Sequence, residues 1–163
     1  MYTEKELPYN FYDSFITQET FKLVHENKSK IVKAFYGYLL GNNKTSEFLT
    51  HSELESRLKS SFDSWLDYTF DRQRVMGDPQ AFLDYQDNIG RVHSRINIGL
   101  FLIDYAKVVL KRCVYRVIPD NKEMACYVSD VIDYAVDTFN QSYLNEVLEN
   151  TRHRQSLRIV ASG

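Results

Sequence analysis

The stretch IGRVHSRINI, residues 89–98, decides how this chain is interpreted, because it places a histidine on an otherwise apolar helix face. The members of that face follow one another at helical spacing: Phe82, Ile89, His93 and Ile96. Asp78 is a favourable N-cap and Pro79 suits the first helical turn, so the helix is predicted to begin there. A break is predicted at residues 97–99, which puts His93 near the helix end, facing inward.

His93 is open to two interpretations. In the first, it is a core histidine whose ring nitrogens bond a backbone carbonyl. In the second, it is an axial metal ligand, since a neutral imidazole is a good donor to iron. His25 is predicted to lie on a helix surface, and His51 and His153 are in polar surroundings. No two of the four histidines have the i, i+3 or i, i+4 spacing of a zinc or di-iron site, so His93 is the candidate ligand.

Outside this segment, apolar residues also recur at helical spacing. The chain has only three prolines and six glycines, which favours long helices over a many-turned β fold. Gly41 and Pro119 are expected to end helices, whereas Thr17, the capping-box sequence Ser52-Glu53-Leu54-Glu55 and Asp120 are expected to begin them. We predict an all-α fold with helices over residues 17–28, 29–40, 52–77, 79–96, 100–118 and 120–148.

The composition of the 163-residue chain limits the class of protein. Its 44% hydrophobic and 14% aromatic content is enough for one compact core. The net charge is −2, with acidic and basic residues mixed, so no nucleic-acid partner is expected. Residues 1–15 contain no apolar run after a basic segment, so we expect no signal peptide and no membrane span. These features predict a cytoplasmic protein of one domain.

The cysteines and the motif content bear on chemistry. Cys113 and Cys126 each lie in an apolar helical pattern, and we expect both to be buried free thiols. A disulfide between them is the alternative, although nothing in the sequence suggests an oxidising compartment. The sequence has no Ser/His/Asp, Cys/His or Gly-rich phosphate motif, so the chain itself is not expected to be an enzyme.

The last helix is predicted to be longer than a small core requires. Its core face keeps steps of three and four residues: Met124, Val128, Val131, Ala135, Phe139, Tyr143 and Val147. Tyr127 and Tyr134 are expected to lie off this face, where a second subunit would meet them. Residues 151–163 lose the periodicity and gain arginines, so we interpret them as the start of a linker after a domain over residues 1–150. A frayed native terminus is the alternative.

Two polar residues lie on helix sides that are predicted to face inward. Tyr36, in the pair Phe35-Tyr36, faces inward, whereas Tyr38 is turned away by about 200°. Ser61 interrupts the apolar stripe that includes Trp65, a residue expected to pack in the core or against a cofactor. Ser61 either leaves room for a ligand and bonds it, or bonds only the backbone of its own helix.

Three segments of the chain resemble globin-coupled sensors, in the same order. They are the Phe35-Tyr36 pair, Leu58-Lys59 followed by Ser61 and Trp65, and the His93 segment, in which a glycine lies three residues before the histidine and Arg-Ile follows it. The resemblance extends over most of the chain. It implies an all-α, globin-like fold of the sensor type that holds haem b.

The resemblance also implies roles for individual residues. His93 would be the proximal iron ligand, Tyr36 the distal hydrogen-bond donor, Leu58 an apolar gate over the iron and Ser61 a small polar residue of the pocket. Further residues expected to line the pocket are Phe35, Phe62, Trp65, Ile89 and Ile96. No histidine lies between His51 and His93 to occupy the distal side, so we expect a five-coordinate ferrous iron.

The function implied by the resemblance is gas sensing. We expect O2 as the ligand, with CO and NO as alternatives, because a tyrosine donor favours a polar bound gas. Members of the family usually form homodimers through their last two long helices, as a four-helix bundle, and signal to a C-terminal output domain. That domain is expected to be a diguanylate cyclase, or otherwise a chemotaxis transducer or a kinase.

Gly99 departs from the family pattern, and two other functions remain open. Many members linked to diguanylate cyclases have a proline at the position of Gly99, so the connection after His93 is expected to be looser here. One alternative function is a stand-alone, protoglobin-like gas-binding protein. The other is a haem-free helical dimerisation module in which His93 is a core residue.

Overall fold

The chain folds into helices of very unequal length. The computed structural model describes residues 7–49 and 57–162. After a 3-10 turn at Pro8–Phe11, its helices are α1 (Ser14–Leu40), α2 (Asn43–Ser46), α3 (Lys59–Phe70), α4 (Arg72–Gly77), α5 (Pro79–Arg95), α6 (Leu100–Tyr115) and α7 (Lys122–Ser162). No β-strand occurs within the described ranges, and the all-α prediction is confirmed.

Helix α1 is continuous, so the prediction of two helices that meet at Ser29 is wrong. Asp13 caps it, not Thr17: the Asp13 carboxylate accepts a hydrogen bond from the backbone N–H of Ile16 at 2.9 Å. Ser29 is exposed, and the apolar face of the helix continues on both sides of it. The free-energy penalty of a single serine inside a helix is too small to end the helix there. The predicted end at Gly41 is confirmed.

The segment between α1 and α3 is only partly described. Where a loop or short turn is predicted over residues 41–50, the short helix α2 forms, and the Asn42 side chain caps it by accepting from the backbone N–H of Lys44 at 2.9 Å. The predicted capping box at residues 52–55 and His51 lie outside the described residues.

The long helix predicted over residues 52–77 is interrupted at Asp71, so it is wrong as a single element. Asp71 has φ −86° and ψ 88°, and its carboxylate caps α4 by accepting from the backbone N–H of Arg74 at 3.1 Å. An aspartate that satisfies an unpaired N–H in this way stabilises a new helix start. The change of direction brings both Phe70 and Val75 into the core, where each is fully buried.

The boundaries of the helix that carries His93 are confirmed. The Asp78 carboxylate accepts from the backbone N–H of Ala81 at 3.1 Å, and Pro79 lies in the first turn. The helix ends at Arg95, directly before the predicted break.

The helices on either side of Pro119 differ slightly from the prediction. Helix α6 ends at Tyr115, three residues earlier than expected. Helix α7 is capped by Asn121 and not by Asp120, because the Asn121 side chain accepts from the backbone N–H of Met124 at 3.0 Å.

Helix α7 carries most of the predicted core face. Those residues are buried except Val147, which is 41% exposed. The expectation that Tyr127 and Tyr134 lie off the core face is wrong, since both are buried. Tyr127 packs edge-on against Tyr12 at a centroid distance of 5.1 Å, and Tyr134 stacks on Phe82 at 6.2 Å. Other elements cover this helix on more than one side, so its buried surface is wider than one apolar stripe.

The arrangement of the helices places α5 along α7, while α1 packs against α3 and α6. Both cysteines are free thiols, as predicted; Cys113 is buried but Cys126 is exposed on α7, so the predicted burial is wrong for Cys126. Within the described ranges, no helix combines the length and the apolar character needed to cross a membrane. Helix α7 continues to Ser162, so the predicted helix end at residue 148 is wrong, and residues 147–162 are helical and exposed. Apolar periodicity marks only the part of a helix that packs on a core, so it does not mark this end.

Candidate functional site

His93 lies near the end of α5 with one ring nitrogen held by the backbone. Its Nδ1 is 2.7 Å from the carbonyl oxygen of Ile89, one turn earlier. Because a carbonyl can only accept, Nδ1 carries the proton, and the lone pair of the neutral ring is on Nε2. Burial lowers the pKa of His93, and the bond to the Ile89 carbonyl opposes this only in part, so the ring is neutral at pH 7.

The second nitrogen of His93 has a different environment. A hydrogen bond to a backbone carbonyl, which the core-histidine interpretation predicts, is present at Nδ1. None of the described residues is hydrogen-bonded to Nε2. A ligating histidine usually has this arrangement, with one nitrogen oriented by a carbonyl and the other available to a metal. The geometry therefore allows the ligand interpretation.

Helix α7 packs directly against the His93 ring and against the turn of α5 that precedes it. The ring of Phe139 stacks on His93, with centroids 5.3 Å apart and 6° between the planes. One turn before, a Cβ at Gly90 would lie 1.9 Å from the Phe139 carbonyl oxygen. Only glycine permits this approach. The glycine three residues before the histidine thus has a physical role, because it lets α5 lie directly on the α7 backbone.

The end of α5 is closed by Asn97, which has a positive φ of 61°. The backbone N–H of Ile98 donates to the His93 carbonyl at 3.3 Å, and that of Asn97 donates to Ser94 at 3.0 Å. This pair of bonds is a Schellman motif, and asparagine tolerates its left-handed residue better than most side chains do. The predicted break after His93 is confirmed, and it fixes the last turn, which includes His93.

Tyr36 is buried in α1, as predicted, and Tyr38 is exposed. The Tyr36 hydroxyl donates to the backbone carbonyl of Leu58 at 3.4 Å, which is longer than the usual ~2.5–3.0 Å of an O–H···O bond. Burial, assisted by the negative charge of Asp63, raises the pKa of Tyr36 to about 12. The hydroxyl is therefore protonated at neutral pH, and a closer acceptor would compete for it.

An aromatic cluster surrounds Tyr36 and brings four of the sequence-predicted site residues together. Phe62 stacks on Phe35 at a centroid distance of 4.7 Å and on Trp65 at 5.7 Å, and its ring meets Tyr36 edge-on at 5.9 Å. The four rings join α1 to α3. With the carbonyl of Leu58, which Tyr36 contacts, they form the part of the candidate site that α1 and α3 contribute.

Gln86 was not identified from the sequence, yet it connects Trp65 of the aromatic cluster to the helix that carries His93. The Trp65 indole Nε1 donates to Gln86 Oε1 at 3.1 Å, and Gln86 is fully buried on α5, two turns before His93. Its Nε2 has no hydrogen-bond partner among the described residues. The signal available in the sequence was a polar residue on the helix face that carries Phe82 and His93.

The remaining predicted site residues are more exposed. The expectation that Ser61 interrupts a buried stripe is wrong, since Ser61 is exposed. The adjacent Phe62 packs on α1 and turns Ser61 outward. Ile89 is half-buried and Ile96 is 51% exposed. His153 is exposed, as predicted.

His25 also lies on the surface, as predicted. Its exposed ring is paired with Asp67 at 2.8 Å. Its Nδ1 is thus engaged on the outer side of α1 and α3.

Comparisons with known proteins support the architecture and give the family. The Protoglobin family model matches residues 16–149. Proteins named diguanylate cyclase DosC from Shigella flexneri and Escherichia coli strain K12 are 24% identical over 106 residues, which is 65% of this chain. The chain spans about a quarter of the length of these relatives, 27% and 23% respectively.

Two solved structures of the globin domain of E. coli DosC have the same fold. The ferric form superimposes with a TM-score of 0.72 at 20% identity, over 87% of this chain and 97% of that domain. The ferrous form superimposes with a TM-score of 0.71 at 20% identity, over 86% of this chain and 96% of that domain. The predicted globin-like fold is therefore confirmed. Because the family model also spans most of the chain, this protein belongs to the protoglobin family.

Proposed function

We propose that this chain is a haem-based gas-sensing domain in which His93 is the proximal iron ligand. One observation carries the proposal: the Ile89 carbonyl holds Nδ1 of His93 and leaves the Nε2 lone pair without a partner among the described residues. Haem b would supply an iron centre with one coordination position open to a diatomic gas.

The residues around His93 fit a large, flat, apolar group. Val92 and Ile96, next to His93 on α5, are 49% and 51% exposed. Apolar exposure of this extent at one place is typical of a binding surface. Among the predicted pocket residues, the proposal relies on the aromatic cluster, Leu58 and Ile89. It does not depend on Ser61, because Ser61 is exposed.

Tyr36 supports O2 as the ligand, with CO and NO as alternatives. Its protonated, buried hydroxyl is held only by a long bond to Leu58, so it can turn toward an acceptor in the pocket at little cost. Bound O2 is a polar acceptor, whereas bound CO is much less so. The buried, neutral Tyr36 hydroxyl therefore stabilises bound O2 more than bound CO.

Replacement of Tyr36 by phenylalanine is expected to accelerate O2 dissociation about 5- to 150-fold, because a lost bond to a partly charged acceptor is worth ~1–3 kcal/mol. CO dissociation is expected to change by less than about threefold, since CO makes little use of the donor. Stopped-flow displacement of each gas from the ferrous protein measures both rates. The matched control is Tyr38→Phe, on the exposed side of α1. Equal rates for Tyr36→Phe and the parent protein would remove Tyr36 from the proposal.

The binding part of the proposal is tested by the absorption spectrum of the chain after expression with haem precursor. A five-coordinate ferrous spectrum that converts to a six-coordinate form with O2 or CO would support it. A colourless protein that also fails to take up added haem would refute it. The haem-free helical module would then be the leading function.

The sensor part of the proposal extends beyond this chain. The match to proteins named diguanylate cyclase supports a cyclase as the C-terminal output, with a chemotaxis transducer or kinase as the other outputs considered. Residues 151–162 continue α7 as an exposed helix, which would serve as the start of the connection. The alternative is a stand-alone protoglobin-like protein. A reading frame that continues into an output domain favours the sensor, whereas a stop codon directly after Gly163 favours the alternative.

The sensor proposal includes a homodimer through α6 and α7. Phe101, Val108 and Tyr115 are exposed on α6 at intervals of seven residues, as in a helix-pairing seam. Val108→Glu is expected to shift the dimer to monomer, because it places a charge in the middle of that seam. Light scattering gives the mass. Phe15→Glu, at an exposed apolar residue on α1, is expected to leave the dimer intact. A parent protein that is already monomeric would contradict this part of the proposal.

A further inference from the structure

Ion pairs connect the His93 helix to α7 on both sides of the histidine. Arg91 and Arg95 lie two residues before and two residues after His93, and both reach Glu146 on α7. Arg95 donates through Nε to Glu146 Oε1 at 3.2 Å, and its NH2 nitrogen lies 3.2 Å from the same oxygen. An NH1 nitrogen of Arg91 lies 3.9 Å from the same oxygen and 3.4 Å from Glu149 Oε2. A shift of α5 along its axis, or a rotation about it, would move His93 and would therefore also change these contacts.

Glu146 is unusual among the carboxylates of this network. It is buried, whereas Glu149 is exposed. Its Oε1 accepts from Arg95 and lies within ion-pair distance of Arg91, but its Oε2 is buried without a hydrogen-bond partner among the described residues. A buried carboxylate oxygen without a donor is costly, so it favours any arrangement of α5 that offers one. Arg91 is the candidate donor, because Arg95 already bonds the other oxygen, whereas Arg91 is held through Nε by Asp87 of its own helix at 3.0 Å and has its NH1 nitrogen 3.9 Å from Glu146.

Glu146 lies at the point where α7 leaves the core. Glu146 is the last buried residue of the helix, and each following residue to Ser162 is exposed. Before it, α7 is held to α5 by the Phe139 contacts with His93 and Gly90. Among the described residues, the ion pairs of Arg91 and Arg95 with Glu146, and of Arg91 with the exposed Glu149, are therefore the last ones between the His93 helix and α7 before α7 extends beyond the core.

We propose that Glu146 is a positioning residue that passes the position of the His93 helix to the C-terminal part of α7. Arg95 on one oxygen of Glu146 defines one arrangement, and Arg91 on its unpaired oxygen defines the other. The inference rests on the proposed function, since a gas bound to the His93-ligated haem is what distinguishes the two arrangements.

The test measures amide hydrogen exchange of residues 143–155 in the haem-loaded ferrous chain, with and without CO. In the parent protein, CO is expected to change the exchange rate of this segment by about threefold or more, because local opening depends on the contacts that hold it. In Glu146→Gln, which keeps the size but removes the charge, the CO-dependent change is expected to fall below about 1.5-fold. Glu146→Asp, which keeps the carboxylate on a shorter side chain, is expected to keep at least half of the response.

The matched control is Asp133→Asn. Asp133 also joins α7 to a neighbouring helix, through Lys111 at 2.7 Å and Lys107 at 3.7 Å on α6, and none of its ion pairs among the described residues reaches α5. It is expected to keep the full response to CO. A normal response in Glu146→Gln, or an equal loss in Asp133→Asn, would overturn the inference.

The failure of the inference can be told from the failure of the proposed function. A parent protein that binds haem and CO by its absorption spectrum, but shows no change in exchange, overturns the role of Glu146 alone. A parent protein that binds no haem overturns the proposed function, and the role of Glu146 falls with it.

Discussion

Replacement of His93 by alanine is expected to leave the chain without stably bound haem. The substitution removes the only proposed iron ligand of the protein, and loss of even a supporting contact to a metal ligand typically costs ~10–100-fold in affinity. We therefore expect haem affinity to fall by more than about a hundredfold. Transfer of haem to an acceptor protein, followed by absorbance, measures the loss.

Two experiments distinguish a loss of iron ligation from a loss of side-chain packing in His93→Ala. Added imidazole is expected to restore a ligated spectrum in His93→Ala, because the small molecule enters the space that the ring has left. His153→Ala, at an exposed histidine of α7, is the control and is expected to keep haem as the parent protein does. Haem that stays bound with an unchanged spectrum in His93→Ala would show that another residue is the ligand.

Replacement of Gly90 by alanine is expected to reduce the free energy of unfolding by about 2–3 kcal/mol, the upper part of the usual range for an overpacked core. The added Cβ would lie 1.9 Å from the Phe139 carbonyl oxygen and 2.9 Å from its carbon. Both are backbone atoms, so α5 has to move away from α7. Urea unfolding of the haem-free chain measures the change, and faster haem loss from the loaded chain is expected with it.

Gly37 provides the matched control for Gly90. It also lies inside a helix, but a Cβ there would meet no atom within 4 Å. Gly37→Ala is expected to raise the free energy of unfolding by about 0.5–1 kcal/mol, because alanine is the better helix former. Changes of the same sign and size at both positions would mean that the approach to Phe139 is not what requires glycine at residue 90.

The candidate site could be predicted from the sequence where local rules apply. An Asp-Pro pair starts α5, and the direction of Tyr36 follows from the helical period. The break after His93 was also predictable, because asparagine there tolerates the left-handed backbone. The exposure of Ser61 and the burial of Gln86 could not be predicted from such local rules. Which of them is buried depends on how α3 and α5 pack, and that information is not local.

The same distinction applies to the fold. The all-α class could be predicted from the spacing of the apolar residues. The continuity of α1 through Ser29 and the break at Asp71 could not. Each depends on a small difference in local free energy that tertiary packing outweighs. Tyr127 and Tyr134 were misplaced for a related reason, since a helix surrounded by several others buries more than one face.

The sequence by itself determined that the chain is helical, that His93 lies near the end of a helix on its inner side, and that Tyr36 faces inward. These follow from periodicity and capping, which involve residues a few positions apart. Only the tertiary structure decided that Gly90 rests on the Phe139 carbonyl and that Glu146 receives both arginines beside His93. Residues about 50 positions apart make these contacts, and only the packing of α5 on α7 brings them together.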